Sequence, residues 1–328
     1  MTREEAVRRI ERAAEKKLRE LDLSGLELEE LPPEIAKCTQ LETLLLAGCD
    51  EKKTSEEETR WLTNKLTEFP DAVLGLTNLK TLNLNHNPIT FIPEDLDLGQ
   101  LSNLTHLTLF NTQITQLPEA IGQLSNLREL DLAYNQITQL PEGFGKLSNL
   151  RELNLSHNHI TSIPEVIGQL SNLRELDLCQ NQITSIPDAI GQLWNLEQLF
   201  LIDNQITSIP EVIGQLSNLR ALWLTGNQIT EIPEAIGQLS NLVGLSLSDN
   251  QITSISEVIG QLSNLRWLKL HNNQITEIPE AIGQLWNLEE LYLSSNEITE
   301  IPETTRGLPN LRKLSLQGMR YPKNFTRD

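Results

Sequence analysis

The residues that could do covalent or metal chemistry are few: the 328-residue chain holds 5 His and 3 Cys. Cys179 and His157 are the most suggestive pair. They lie 22 positions apart (179 − 157), and the 23-residue period described below sets them on adjoining copies, with Asp131 and Asp177 nearby. A thiol beside an imidazole is the arrangement of a nucleophile and its base. It also needs oxyanion donors and a pocket that excludes water, which a smooth row of strands does not offer. His157 and His159 flank Asn158 and lack a third ligand at metal-site spacing. Gly48-Cys49-Asp50-Glu51-Lys52-Lys53-Thr54 is the nearest scrap to a phosphate loop, and it lacks the second glycine. The residues therefore predict no catalytic group, no metal and no cofactor. Cys38 replaces a leucine of the repeat and Cys49 its asparagine, so both read as framework residues.

Charge narrows the partners. Lys+Arg number 26 and Asp+Glu 45, and 26 − 45 = −19. A phosphate backbone needs neutralising cations, so nucleic acid is not expected, and an anionic membrane surface is disfavoured for the same reason. No apolar run approaches the roughly 20 residues of a bilayer span. The start, MTREEAVRRIERAAEKK, has charges where an export signal needs an apolar run. An odd number of cysteines in a long chain argues against a disulfide framework. The expected location is the cytoplasm, and the Asn-x-Ser/Thr matches at Asn103, Asn154 and Asn324 are expected to be idle.

What positions these side chains is an internal repeat. Prolines at 118, 141, 164, 187, 210, 233, 279 and 302 keep a step of 23, broken once by Ser256. The unit reads L-x-x-L-x-L-x-x-N-x-I-T-x-I-P-E-x-I-G-Q-L-S-N. Copies begin at Leu18, Leu41, Leu79, Leu104 and Leu127, then every 23 residues to Leu288, and a half copy begins at Leu311. Alternating L-x-L predicts a short strand with one face inward. The ninth-position Asn ends the strand and satisfies the backbone at the bend, so stacked copies form a ladder. Ile-Thr-x-Ile-Pro turns the chain back, and Gly of Ile-Gly-Gln-Leu permits a tight turn. One copy cannot bury its leucines alone; stacked copies bury them between neighbours.

These residues resemble the leucine-rich repeat family over positions 18 to about 318. The resemblance implies an α/β solenoid: a horseshoe with a parallel β-sheet on the concave face and short turns or 3-10 segments on the convex face. In that family the open concave face is where partners usually sit. The start, KKLRELDLSGLELEELPPEI, followed by an irregular unit and NKLTEFPDAVLGLTNLKTLNL, looks like the N-terminal repeats of bacterial, especially cyanobacterial, Roco proteins. In those proteins such repeats precede a Ras-like GTPase domain, whose phosphate loop this sequence lacks. The near identity of the copies is also compatible with recent duplication or design.

The expected organisation is a capping helix over 1–17, twelve repeats over 18–310, and a half repeat with a C-terminal cap over 311–328. Thr2-x-x-Glu5 matches a capping box, and Ala6, Ile10, Ala13 and Ala14 share a helical face. An insert at about 50–63, rich in charge, reads either as a solvated surface loop or as a functional loop carrying Trp61 as an anchor. Met319 replaces the ladder asparagine, and Tyr321 and Phe325 are suited to cover the last leucines.

Positions three, five, seven and eight of each copy are expected to face outward from the concave sheet. They hold Phe110, Tyr134, Phe200, Trp223, Trp267 and Tyr292, six of 5 + 3 + 6 = 14 aromatics, and His86, His106, His157 and His271. Drift at exposed sites would favour small polar residues, so this enrichment points to recognition. The expected partner-binding residues are Phe110, Tyr134, Phe200, Ile202, Trp223, Trp267, Lys269 and Tyr292. A secondary charged zone comprises Glu129, Asp131, Glu152, Glu175 and Asp177, beside Arg128, Arg151 and Arg174; it is either a solvated ladder of charge or a dock for a basic partner. The sequence thus predicts a monomeric, non-catalytic module for a protein or peptide partner. The alternatives are a regulatory region of a Roco-type GTPase system and a structural or designed solenoid without a natural partner.

Overall fold

The structure, a computed structural model, describes residues 2–47 and 63–318. The insert up to residue 62, with Cys49 and Trp61, and Met319, Tyr321 and Phe325 lie outside the described residues. The chain forms two compact units, Met1–His159 and Ile160–Asp328. The first contains α1 (Thr2–Lys16), β1 (Glu20–Asp22), β2 (Thr43–Leu45), β3 (Thr81–Asn83), β4 (His106–Thr108), β5 (Glu129–Asp131) and β6 (Glu152–Asn154). The second contains β7 (Glu175–Asp177), β8 (Gln198–Phe200), β9 (Ala221–Trp223), β10 (Gly244–Ser246), β11 (Trp267–Lys269), β12 (Glu290–Tyr292), α2 (Glu303–Arg306) and β13 (Lys313–Ser315).

Within each unit consecutive strands pair in parallel with like positions side by side, as in Leu130↔Leu153 and Leu199↔Leu222. Leucines at positions one, four and six of a copy point inward and are buried, as are Leu127, Leu130 and Leu132. Return segments are 3-10 turns such as Glu119–Gln123, most of them beginning after the proline that ends the extended stretch; the turn Leu98–Gln100 follows Asp97 instead. Where Ser256 replaces that proline, its hydroxyl accepts a bond from the Val258 amide at 3.4 Å and donates to Glu234 at 2.6 Å. Glycine in these turns has a different role from the tight turn expected. A Cβ on Gly122 would lie 2.1 Å from the Gly143 carbonyl oxygen, so the residue is small because the next turn packs against it.

The asparagine ladder forms. Asn158 Nδ2 donates to the Leu132 and Leu155 carbonyls at 3.0 Å each, and its Oδ1 accepts from the Ile137 amide at 2.9 Å. Position nine is not always asparagine: it is Leu26 in the copy from Leu18 and Thr112 in the copy from Leu104, and the place assigned to Cys49 is served by Asn64. Its Nδ2 reaches the Leu23 and Leu46 carbonyls at 2.9 and 2.7 Å, and its Oδ1 accepts from Leu26 and Leu28. A second asparagine row ties the turns before the strands: Asn126 Nδ2 donates to the Ser102 carbonyl at 2.7 Å, and Asn241 to Ser217 at 2.8 Å.

Helix α1 lays Ala6, Ile10 and Ala13 against the first copy, and all three are fully buried. Cys38 is buried beneath it, 3.5 Å from the Ile10 carbonyl oxygen. Arg8 and Arg9 bind the Glu5 carboxylate at 2.5 and 2.8 Å.

The ladder generates a stability prediction. Asn204 donates to Leu178, Leu201 and Ile202 and accepts from the Ile183 amide. Replacing Asn204→Leu strands those buried groups and should lower unfolding free energy by about 1–3 kcal/mol. An unchanged urea midpoint would refute the ladder's contribution.

Candidate functional site

Position eight of each described copy shows the local geometry that shapes the strand face. Tyr134, His157, Gln180, Asp203, Asp249 and Asn272 all have φ between 54° and 56°. This left-handed residue redirects the chain after the three-residue strand. Gly226 meets the same demand at φ 71°. Side chains at this position therefore fan out beyond the strand end, where they can meet those of the next copy.

In the first unit His86, Tyr134 and His157 of this position build an aromatic row with Phe110 of position seven. The His86 and Phe110 ring centroids are 5.3 Å apart, Phe110 and Tyr134 5.1 Å, and Tyr134 and His157 3.9 Å with planes 15° apart. Burial holds the His86 imidazole below its usual range. Asn111 Nδ2 lies 2.9 Å from its Nδ1. Phe110 and Tyr134 thus stand together as expected residues, and the two histidines join them.

The fifth position separates framework from recognition. Asp22, Asn83, Asp131, Asn154 and Asp177 each accept a bond from the backbone amide two residues on, at 2.8–3.1 Å. This local turn closes the strand end. Asp131 and Asp177, expected in a charged docking zone, are committed to their own backbone. Glu129 lies 3.0 Å from His106 Nε2, and Glu152 pairs in register with Glu129. Glu175 Oε2 accepts from Gln198 at 3.4 Å, whereas Arg174 reaches along its own row to Glu197 at 3.7 Å. Half-exposed pairs of this kind contribute little to stability.

From β8 onward the fifth position carries no Asp or Asn, and the side chains that replace them form the second aromatic group. Phe200 and Trp223 stand side by side with centroids 4.9 Å apart. Ile202 is half-buried beside them, and Trp223 and Trp267 are each 41% exposed. Between Trp223 and Trp267 the intervening strand offers only Gly244 and Ser246. Tyr292 donates to Glu290 Oε2 at 2.6 Å, and Lys269 and Lys313 place their ammonium groups 5.8 and 4.7 Å from its ring centre. The outward positions are not uniformly open: Ala133, Ser156, Gly244, Ser246 and Ser248 are buried by larger neighbours.

Trp194 and Trp286, 65% and 67% exposed, escaped the sequence reading. They replace Ser in the Q-L-S-N segment, off the strand face, and that break in the consensus was the available signal.

Neither chemistry weighed from the sequence gains support. Burial first, then the Asp177 charge and hydrogen bond, push the Cys179 thiol far above its ordinary range, the opposite of what a nucleophile needs. Among the described residues no three His, Cys, Asp or Glu side chains converge as metal ligands. Cys179 should therefore resist alkylation by iodoacetamide at pH 8 in the folded protein and react on unfolding. Rapid modification of the folded chain at that pH would overturn this account.

Comparison with known proteins places this architecture. Profiles described as leucine rich repeat match residues 102–160, 171–229, 217–275 and 264–319, with further repeat matches at 77–124, 148–191 and 17–38. A leucine-rich-repeat protein of Leptospira interrogans is 31% identical, with 95% of this chain and 94% of that one covered and a TM-score of 0.70. A plant peptide hormone receptor, solved with its peptide, is 30% identical at a TM-score of 0.75. The match covers 89% of this chain but 46% of the receptor chain. An internalin of Listeria monocytogenes shares the fold at a TM-score of 0.79 and 22% identity, over 98% and 95% of the two chains. With repeat matches spanning most of its length, and buried leucines and an asparagine ladder recurring at the repeat's phase, the chain belongs to the leucine-rich repeat family.

Proposed function

We propose that this protein is a non-catalytic binding module whose strand face in the second unit takes a protein or peptide partner. One observation carries the reading: where position five is released from its backbone bond, four of its six residues are Phe200, Trp223, Lys269 and Tyr292, beside Ser246 and Ser315. The buried leucines already fill the core, so these rings are not needed there. Half-exposed aromatic clusters are costly to leave in water and are typical interface centres. The plant receptor captured with a peptide hormone shows that a similar solenoid serves peptide recognition. Phe110 and Tyr134 form a second, smaller surface in the first unit. The reading includes a monomer in a reducing cytoplasm, supported by the free thiols of Cys38 and Cys179. The net charge of −19 supports a partner other than nucleic acid or an anionic membrane.

Regulation of a Roco-type GTPase is the finer reading of the N-terminal segment KKLRELDLSGLELEELPPEI. It requires this chain to bind a Ras-like domain, in the same polypeptide or a separate one, and to alter its nucleotide turnover. No effect on turnover would leave the binding module standing and remove that role.

The face is tested by quantitative capture of a partner from native lysate, followed by affinity measurement with the captured protein. Phe200→Ser combined with Trp223→Ser should weaken binding at least tenfold while circular dichroism and melting stay near wild type. The control, Glu129→Gln with Glu152→Gln, removes exposed charges and should change little. Normal binding by the serine variant with loss in the control would move the site to the charged zone. Unfolding of the serine variant would return the aromatics to the core.

A further inference from the structure

The copy beginning at Leu242 departs from its neighbours where its strand faces outward. It presents Gly244, Ser246 and Ser248, where β9 and its extension carry Ala221, Trp223 and Thr225, and β11 and its extension carry Trp267, Lys269 and His271. The parallel register sets Ser246 between Trp223 and Lys269, and Gly244 between Ala221 and Trp267. Small residues in register with bulky ones leave a furrow one strand wide. Its far part is closed by hydrogen bonds: Thr225 Oγ1 and Ser246 Oγ are 2.7 Å apart, and Ser248 Oγ is 2.8 Å from His271 Nδ1. The end at Gly244 remains open as a cleft of about 260 Å³, bordered by Trp223 and Trp267 and also lined by Lys269 and Glu290.

Both indoles reach the space directly above Gly244. A Cβ built there would lie 3.4 Å from Trp267 Cε3 and 3.7 Å from Trp223 Nε1. Those two indole atoms are therefore at most 7.1 Å apart across the cleft, the sum of the two contacts. A planar group in van der Waals contact on both sides needs about 7 Å. The cleft is therefore no wider there than one flat side chain, and Gly244 keeps its floor clear.

Charge selects among flat groups. The strand face of the second unit holds Glu175, Asp177, Asp203, Asp249 and Glu290 against Lys269 and Lys313. Both lysines are drawn to the Tyr292 ring. Among the described residues, no cation of the chain stacks on Trp223 or Trp267. Glu290 is steadied by the Tyr292 hydroxyl and keeps a carboxylate at the cleft. A guanidinium is planar, permanently charged, stacks on indole and donates to carboxylate in a fixed fork. An ammonium lacks the plane, and an aromatic ring lacks the charge.

We infer that this cleft receives an arginine side chain from a basic segment of the protein partner, with Trp223 and Trp267 as walls and Glu290 as counter-charge. The inference rests on the binding role proposed for this face and specifies the partner's chemistry. It is tested on the full chain by fluorescence anisotropy with a labelled decapeptide alternating arginine and glycine. Matched lysine–glycine and phenylalanine–glycine peptides complete the set. The arginine peptide should bind at least threefold tighter than either. Gly244→Leu, which fills the cleft, should weaken it about tenfold, Gly244→Ala less than threefold, and Glu290→Gln at least threefold at low salt. Circular dichroism checks folding, and Trp267→Ala, expected to weaken binding at least fivefold, stands in if Gly244→Leu misfolds. Tighter binding of the phenylalanine peptide overturns the choice of arginine. Arginine-peptide binding that survives Gly244→Leu but falls with Glu175→Gln and Asp177→Asn overturns the cleft and leaves a diffuse basic-partner face. Absence of peptide binding overturns the inference, while partner capture sensitive to Phe200→Ser and Trp223→Ser would still support the broader binding role.

Discussion

The structure depends on a buried carboxamide. A strand only three residues long cannot satisfy the backbone where the chain bends away from it, and water is absent at that depth. Asparagine carries both a donor and an acceptor on a short stem, so one side chain serves two copies at once. Asn158 reaches the carbonyls of Leu132 and Leu155 and the amide of Ile137. Replacing it with an apolar residue would leave each of those groups unpaired. This constraint sets the phase of the 23-residue unit more strictly than the leucines do, because apolar burial tolerates small shifts and a three-centre hydrogen-bond set does not. Where the sequence is interrupted, the chain restores the ladder: Asn64 fills its place at the far side of the insert.

With the phase fixed, the outward positions divide between structural and open roles. An Asp or Asn at position five closes the strand end on itself, as Asp131 and Asp177 do. Carboxylates used in this way are poor candidates for docking a partner, whatever their charge. The copies from Leu196 onward dispense with that bond and place Phe, Trp, Ser, Lys and Tyr there. The ladder and the second asparagine row persist in those copies, as Asn227 and Asn241 show. They retain enough framework to hold exposed aromatic side chains in register.

The repeat, the inward leucines, the ladder and the 3-10 returns were legible in the sequence because each recurs every 23 residues. Recurrence separates a constraint from an accident within one chain. The left-handed eighth position was not read, because it tolerates His, Tyr, Gln, Asp, Asn, Ser and Gly, and no single residue type marks it. The role of Asp131 and Asp177 was missed for a related reason: a carboxylate looks alike in sequence whether it faces solvent or its own backbone. Phe200 beside Trp223 followed directly from one period. The cleft over Gly244 did not, since it arises from a small residue on one strand and large ones at different positions on two others. Trp194 and Trp286 lie off the strand face, where each breaks a segment that is otherwise nearly constant.

A face built this way is pre-organised. Ser246 and Ser248 are tied to Thr225 and His271 on either side, so the floor of the furrow does not have to be ordered when a partner arrives. The aromatic walls stand on strands whose leucines are completely buried, Leu222 and Leu268 among them. Side-chain ordering commonly costs about 0.5–1.5 kcal/mol per flexible residue at an interface. A rigid sheet bears little of that cost and leaves it mainly to the partner. The same rigidity limits adaptation: a solenoid of near-identical copies discriminates by which side chains occupy fixed positions, so a glycine between two tryptophans matters more to what it can bind than any change in backbone.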